Sequence, residues 1–105
     1  MRLEETYLNP KFIYFAAHDT SFVTGDSPAT HDIKGTLGEN ALDGYLINFG
    51  DGALTFAFSH DGTNYGNGIY VPAREGRPLK GVSFAKIRVT WIADTGYQIV
   101  AYGSK

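Results

Sequence analysis

Each of the three histidines stands directly before an aspartate, in His18-Asp19, His31-Asp32 and His60-Asp61. Imidazole and carboxylate together can move protons or hold a metal ion. Neighbours along an extended chain, however, point to opposite faces, so none of these pairs is a chelating unit by itself. Each aspartate also sits where a turn uses Asp to bond its own backbone. We therefore read the three histidines as solvent-facing turn residues and assign no metal and no cofactor. Ser21, Ser27, Ser59 or Ser83 could supply the hydroxyl of a hydrolytic triad with one of these histidines. No nucleophile elbow surrounds any of them, and no catalytic residue is assigned. The run Asp61-Gly62-Thr63-Asn64-Tyr65-Gly66-Asn67-Gly68 is glycine-rich but lacks the lysine and following helix of a phosphate-binding loop, so it reads as a structural loop.

Two further groups of side chains point to binding. Arg74, Arg77 and Lys80 gather around a turn and, with Lys86 and Arg88, form either a solvated face or a contact for an acidic partner surface. Tyr65, Tyr70 and Tyr102 could stack on a pyranose ring as an aromatic platform, the alternative being core or rim packing.

The elements that must position these groups are short strands. Tyr45–Phe49 and Leu54–Ser59 alternate apolar and small or polar residues around Gly50-Asp51-Gly52, which predicts a β-hairpin. Ile69–Val71 ends at Pro72, marking an edge or a strand end. Ile87, Val89 and Trp91 share one face of a later strand, and Asp94-Thr95-Gly96 leads to Tyr97–Tyr102, expected to pair back onto Ile87–Ile92. The expected core is Phe56, Phe58, Ile87, Val89, Trp91 and Ile99. Lys11–Ala17 is apolar on both faces, which suits a strand covered on two sides or pressed against another subunit. Thr24–Asn40 is rich in turn formers and reads as a long loop with one short strand, and Glu39–Asp43 could form one helical turn. The fold class is therefore all-β, an antiparallel β-sandwich or jelly roll of seven or eight short strands with a long N-terminal loop. We expect one domain over residues 1–105, with residues 1–44 as N-terminal strand, arm and loop and residues 45–102 as the scaffold.

Composition agrees with this architecture and narrows the partners. The chain has 105 residues, 13 glycines, 14% aromatics and no cysteine, which excludes disulfides and thiolate metal sites. A formal charge of −2 gives no general attraction to nucleic acid or to an anionic membrane. Residues 1–6 lack the pattern of a signal peptide and no apolar run reaches the length of a membrane span, so a soluble product made in the cytoplasm is expected.

The block Ala53–Tyr65, with its Phe58-Ser59-His60-Asp61-Gly62 turn, is followed by Ile69–Ala73, Phe84–Val89 and Tyr97–Ala101. In this order the blocks resemble small β-sandwich virion proteins of tailed bacteriophages. The similarity spans residues 45 to 102 and departs from the family pattern at His60, where that pattern has an aromatic. The resemblance implies a structural role, as a head-decoration or cement subunit or a tail component that docks on phage capsid or tail proteins, and carries over no catalytic residue. A homo-oligomer is expected from the two-faced Lys11–Ala17 segment. The residues expected to meet a partner are Phe12, Tyr14, Phe15, His31, Arg74 and Arg77, with a carbohydrate-binding module of a host-recognition fibre as the alternative role.

Overall fold

The computed structural model describes residues 14–80 and 82–103. Eight strands run in the order β1 (Tyr14–Phe22), β2 (Ala29–Asp32), β3 (Asp43–Asn48), β4 (Leu54–Ser59), β5 (Ile69–Val71), β6 (Gly76–Pro78), β7 (Lys86–Trp91) and β8 (Thr95–Tyr102). A short helix, α1 (Ile33–Leu37), follows β2. One sheet, sheet A, has the strand order β1-β8-β3-β6, and the other, sheet B, has β2-β7-β4-β5, with all pairings antiparallel. These interleaved orders make the sandwich a jelly roll.

Alternation along the strands builds the core between the sheets. Sheet A contributes Leu46, Tyr97, Ile99 and Ala101, and sheet B contributes Leu54, Phe56, Val71, Ile87 and Val89, all buried in one cluster. Of the expected core, Phe56, Ile87, Val89 and Ile99 are fully enclosed, whereas Phe58 and Trp91 pack at its margin. β8 lies between β1 and β3 and is buried along most of its length.

The two expected hairpins do not form. β3 and β4 belong to different sheets, and β8 pairs with β1 and β3 rather than with β7. Alternation and glycine turns locate strand ends, but a turn can fold a strand back in its own sheet or carry it across to the other. Here both connections cross at the same end of the sandwich and touch. A Cβ on Gly50 would meet the Gly96 amide, and one on Gly52 would run into the Asp94 carbonyl. Only glycine lets these two backbones approach so closely.

The Thr24–Asn40 segment is more ordered than a long loop. Thr24–Asp26 forms a 3-10 turn, β2 pairs with β7, and α1 follows directly. Asp32 caps α1 by accepting from the Gly35 amide at 3.0 Å, Gly38 ends it in the left-handed conformation, and Ile33 and Leu37 are buried one turn apart. The helical turn therefore precedes the expected Glu39–Asp43 position, where Ala41 instead bridges to Phe84 and Asp43 opens β3. β1 and β2 each supply a strand to one sheet, so residues from Tyr14 onward contribute to the sandwich beside residues 45–102.

Candidate interaction face

The two outer surfaces of the sandwich differ in chemistry. On sheet B the outward positions of β2, β7 and β4 form cross-strand rows of Thr30, Arg88 and Ala57, then Asp32, Lys86 and Ser59. Arg88 lays its guanidinium 4.0 Å above the Tyr65 ring, a cation–π contact. These rows carry Arg88, Lys86 and Asp32, although Ser59 and Ala57 within them are buried, and the next row, Thr90, Thr55 and Tyr70, leaves Tyr70 exposed.

Sheet A presents aromatic and aliphatic groups instead. Its outward rows are Tyr14, Tyr102 and Asp43, then Ala16, Val100, Tyr45 and Pro78, then His18, Gln98 and Ile47. Tyr14 is 54% exposed, Ile47 40% and Phe49 38%. The Tyr14 and Tyr102 rings lie 6.5 Å apart at 49°, and the His18 ring lies 5.3 Å from that of Phe49. Phe49 covers Gly96, where any side chain would strike its ring. No lysine or arginine stands in these rows, and Asp43 is their one charge. Interfaces between proteins favour such a patch, rich in Tyr and Phe and poor in Lys.

The expected partner-binding residues separate. Tyr14 stands on this outer face, while Phe12 lies outside the described residues. Phe15 and His31 point inward: their rings meet at 6.0 Å, and His31 Nε2 lies 2.9 Å from the Tyr97 hydroxyl. His31 is thus a half-buried strand residue and not a solvent-facing turn histidine. Burial holds its pKa below the ordinary histidine value, opposed by the negative charge of Asp19. Tyr97 is itself buried, which pushes its pKa far up and keeps its hydroxyl protonated beside the imidazole.

The expected basic cluster also divides. Arg74 is bound to Asp51 at 2.6 Å. Arg77 reaches from β6 across the open side of the sandwich, donating to the Tyr70 carbonyl of β5 at 3.1 Å and pairing with Glu75. Lys86 and Arg88 stand on the opposite sheet. Nor do Tyr65, Tyr70 and Tyr102 make one platform. Tyr102 is on sheet A, while Tyr65 and Tyr70 contact opposite ends of β4, at Ser59 and Thr55, roughly 13 Å apart along an extended strand.

In each His-Asp pair the two side chains serve different partners. Asp19 accepts from the Ser21 amide while His18 meets Phe49. Asp32 caps α1 while His31 meets Tyr97. Asp61 accepts from the Thr63 and Asn64 amides, which hold its carboxyl well below the usual range. His60 Nδ1 lies 3.1 Å from the Ser83 carbonyl, and the Ser83 hydroxyl accepts from Asn40, so this neighbouring Ser and His are not joined as nucleophile and base.

Sequence reasoning passed over Asn48, which is wholly buried. Its Nδ2 reaches the carbonyls of Gly52 (2.8 Å), Pro72 (3.1 Å) and Val71 (3.3 Å), and its Oδ1 accepts from the Thr95 hydroxyl at 2.6 Å. It ties both crossover connections and the end of β5 together beside the Phe49 rim. The available signal was parity, since Asn48 shares the inward phase of Leu46 and stands just before the glycine turn.

No protein-family model and no curated protein match this chain. Among solved structures, one described as the crystal structure of PirA is similar to it, at 16% identity and a TM-score of 0.42, covering 85% of this chain and 83% of that one.

Proposed function

We propose that this chain is a bacteriophage virion structural protein, a small jelly-roll subunit that decorates or cements a capsid or forms part of a tail through protein–protein contacts. The observation that carries the reading is the asymmetry of the sandwich. Sheet A turns a nearly uncharged face of Tyr14, Tyr45, Ile47, Phe49 and Val100 outward, while the outward rows of sheet B carry the charges of Asp32, Lys86 and Arg88. Covering the apolar face against a neighbour removes that surface from water, the main favourable term in association. The reading places the chain on the virion after synthesis in the host cytoplasm and gives it no catalytic step.

A carbohydrate-binding module is the competing class. It is less favoured because the three tyrosines expected to form its platform are divided between two sheets. Mass spectrometry of gradient-purified particles of the phage carrying the gene decides between them. We expect many copies per particle, with incorporation reduced by Ile47→Lys at unchanged circular dichroism. Absence from particles, or specific retention on a glycan array that Ile47→Lys leaves intact, would overturn the proposal.

A further inference from the structure

We infer that β1 pairs with β1 of a second copy of this chain, antiparallel about a two-fold axis, so that two copies of sheet A join into one continuous eight-stranded sheet. The argument rests on the four sheet edges, which are β1 and β6 in sheet A and β2 and β5 in sheet B. A free edge is a row of unpaired amides and carbonyls, and proteins blunt it with short strands, proline or charge. Three of these edges are blunted in that way. β6 has three residues, carries Arg77 and ends in Pro78; β5 has three residues and runs into Pro72; β2 has four residues and is entered from Pro28.

β1 is the least defended, its one acid and its bulge both lying at or after Asp19. It is nine residues long, without proline, lysine or arginine, and pairs only with β8 among the described residues. Helix α1 lies close to it, with Ile33 and Leu37 buried in the core. Its regular register runs from Tyr14 to Asp19, before a bulge. In an antiparallel pair alternate residues direct both amide and carbonyl away from the partner, so half of this run presents its hydrogen-bonding groups outward.

The charge pattern selects a second copy as the occupant. A strand paired with itself about a two-fold axis sets each charge against a fixed symmetry position, and like charges directly opposite repel. Opposed residues must share a face, which leaves pairings centred on Ala16 or on Ala17 within the regular run. Neither sets Asp19, its one acid, against its own copy. Both put the small residues Ala16 and Ala17 at the axis, where the two sheets come closest. The two-fold axis stands perpendicular to the sheet, so the aromatic faces of both copies end on one side, continuous across β1. This inference concerns the edge and does not require the virion reading, although it would double the face which that reading uses.

The test is analytical ultracentrifugation of the full chain with two kinds of variant. The wild type is expected to show a concentration-dependent dimer, and the double substitution Ala16→Lys/His18→Lys to weaken it by more than about tenfold, as opposed like charges on an edge require. Ile47→Lys, on the sheet A face but off the edge, is expected to leave the dimer intact. Because the chain has no cysteine, a single Ala16→Cys gives one thiol per copy, which a short bis-maleimide should cross-link between copies, while Thr30→Cys on the β2 edge should give no such cross-link. The cross-link keeps the inference testable if the lysine variant misfolds. A wild type that stays monomeric at high concentration, or a dimer broken by Ile47→Lys but not by the edge lysines, would overturn it. A monomer that still enters particles would do so while leaving the virion proposal standing.

Discussion

Asn48→Asp changes one NH₂ to an oxygen at constant shape, and the surroundings of Asn48 make that change expensive. The two N–H bonds of Nδ2 are shared among three carbonyls, the shortest contacts being 2.8 Å to Gly52 and 3.1 Å to Pro72. An aspartate would lose both donors and face those carbonyls with an acceptor. Each buried polar group left unsatisfied costs about 1–3 kcal/mol, so two give a loss of about 2–6 kcal/mol, a large part of the ~5–15 kcal/mol that stabilises an ordinary domain. In urea, with a slope of about 1–1.5 kcal/mol/M for a domain of this size, the midpoint should fall by about 1.3 M or more. Burial and the facing carbonyls must also raise the carboxyl's folded-state pKa above its unfolded value near ~3.9. The folded variant then binds more protons than the unfolded chain, so its deficit relative to wild type should shrink as the pH is lowered from 7 toward 5. A midpoint within about 0.5 M of wild type at pH 7, or a deficit that does not shrink in acid, would refute the assignment of Asn48 as the donor joining these connections.

Two other outcomes follow from the same physical picture. His31 is held below its unfolded pKa by burial, so the unfolded chain binds more protons; stability should be full above pH ~6.5 and decline as the pH falls toward the folded-state value, and His31→Gln should flatten that part of the urea-midpoint profile relative to wild type. Gly52→Ala would force a methyl group into the Asp94 carbonyl and should lower stability by about 1–3 kcal/mol, the range for overpacking, whereas Gly25→Ala, with open space around it, should stay within about 1 kcal/mol of wild type by the same thermal or urea measurement.

Most strands were legible because period-two alternation needs only local sequence. Phe56, Ile87, Val89 and Ile99 took the inward positions that this pattern assigns. Pairing was not legible in the same way. The glycines at 50 and 52 read as a hairpin turn, although what they permit is contact with residues 94–96, more than forty positions away. Helix α1 had a readable signal in Asp32, Ile33, Leu37 and Gly38, a cap, two apolar residues one turn apart and a left-handed stop; the turn-forming residues around it hid the period. The outer face of sheet A could not be found from any one segment, because Tyr14, Tyr45, Ile47 and Val100 become neighbours only when β8 is seated between β1 and β3. Arg74 and Arg77 are close in sequence yet engage Asp51 and β5 respectively, so proximity along the chain overstated their unity as a basic patch.

The β1–β8 pairing also sets an order of events during synthesis. Tyr14 pairs with Tyr102 and Ala17 with Ile99, so β1 leaves the ribosome well before its partner and has to wait for β8. Sheet B can assemble from β2, β4, β5 and β7 beforehand, but sheet A has no central strand until β8 emerges. Closing so long a loop is entropically slow, as it is for other sandwiches dominated by non-local pairing. A nascent chain stalled before residue 95 would therefore hold β1 and one edge of β3 unpaired in sheet A, and completion of the domain should be a late step that chaperone capture can compete with.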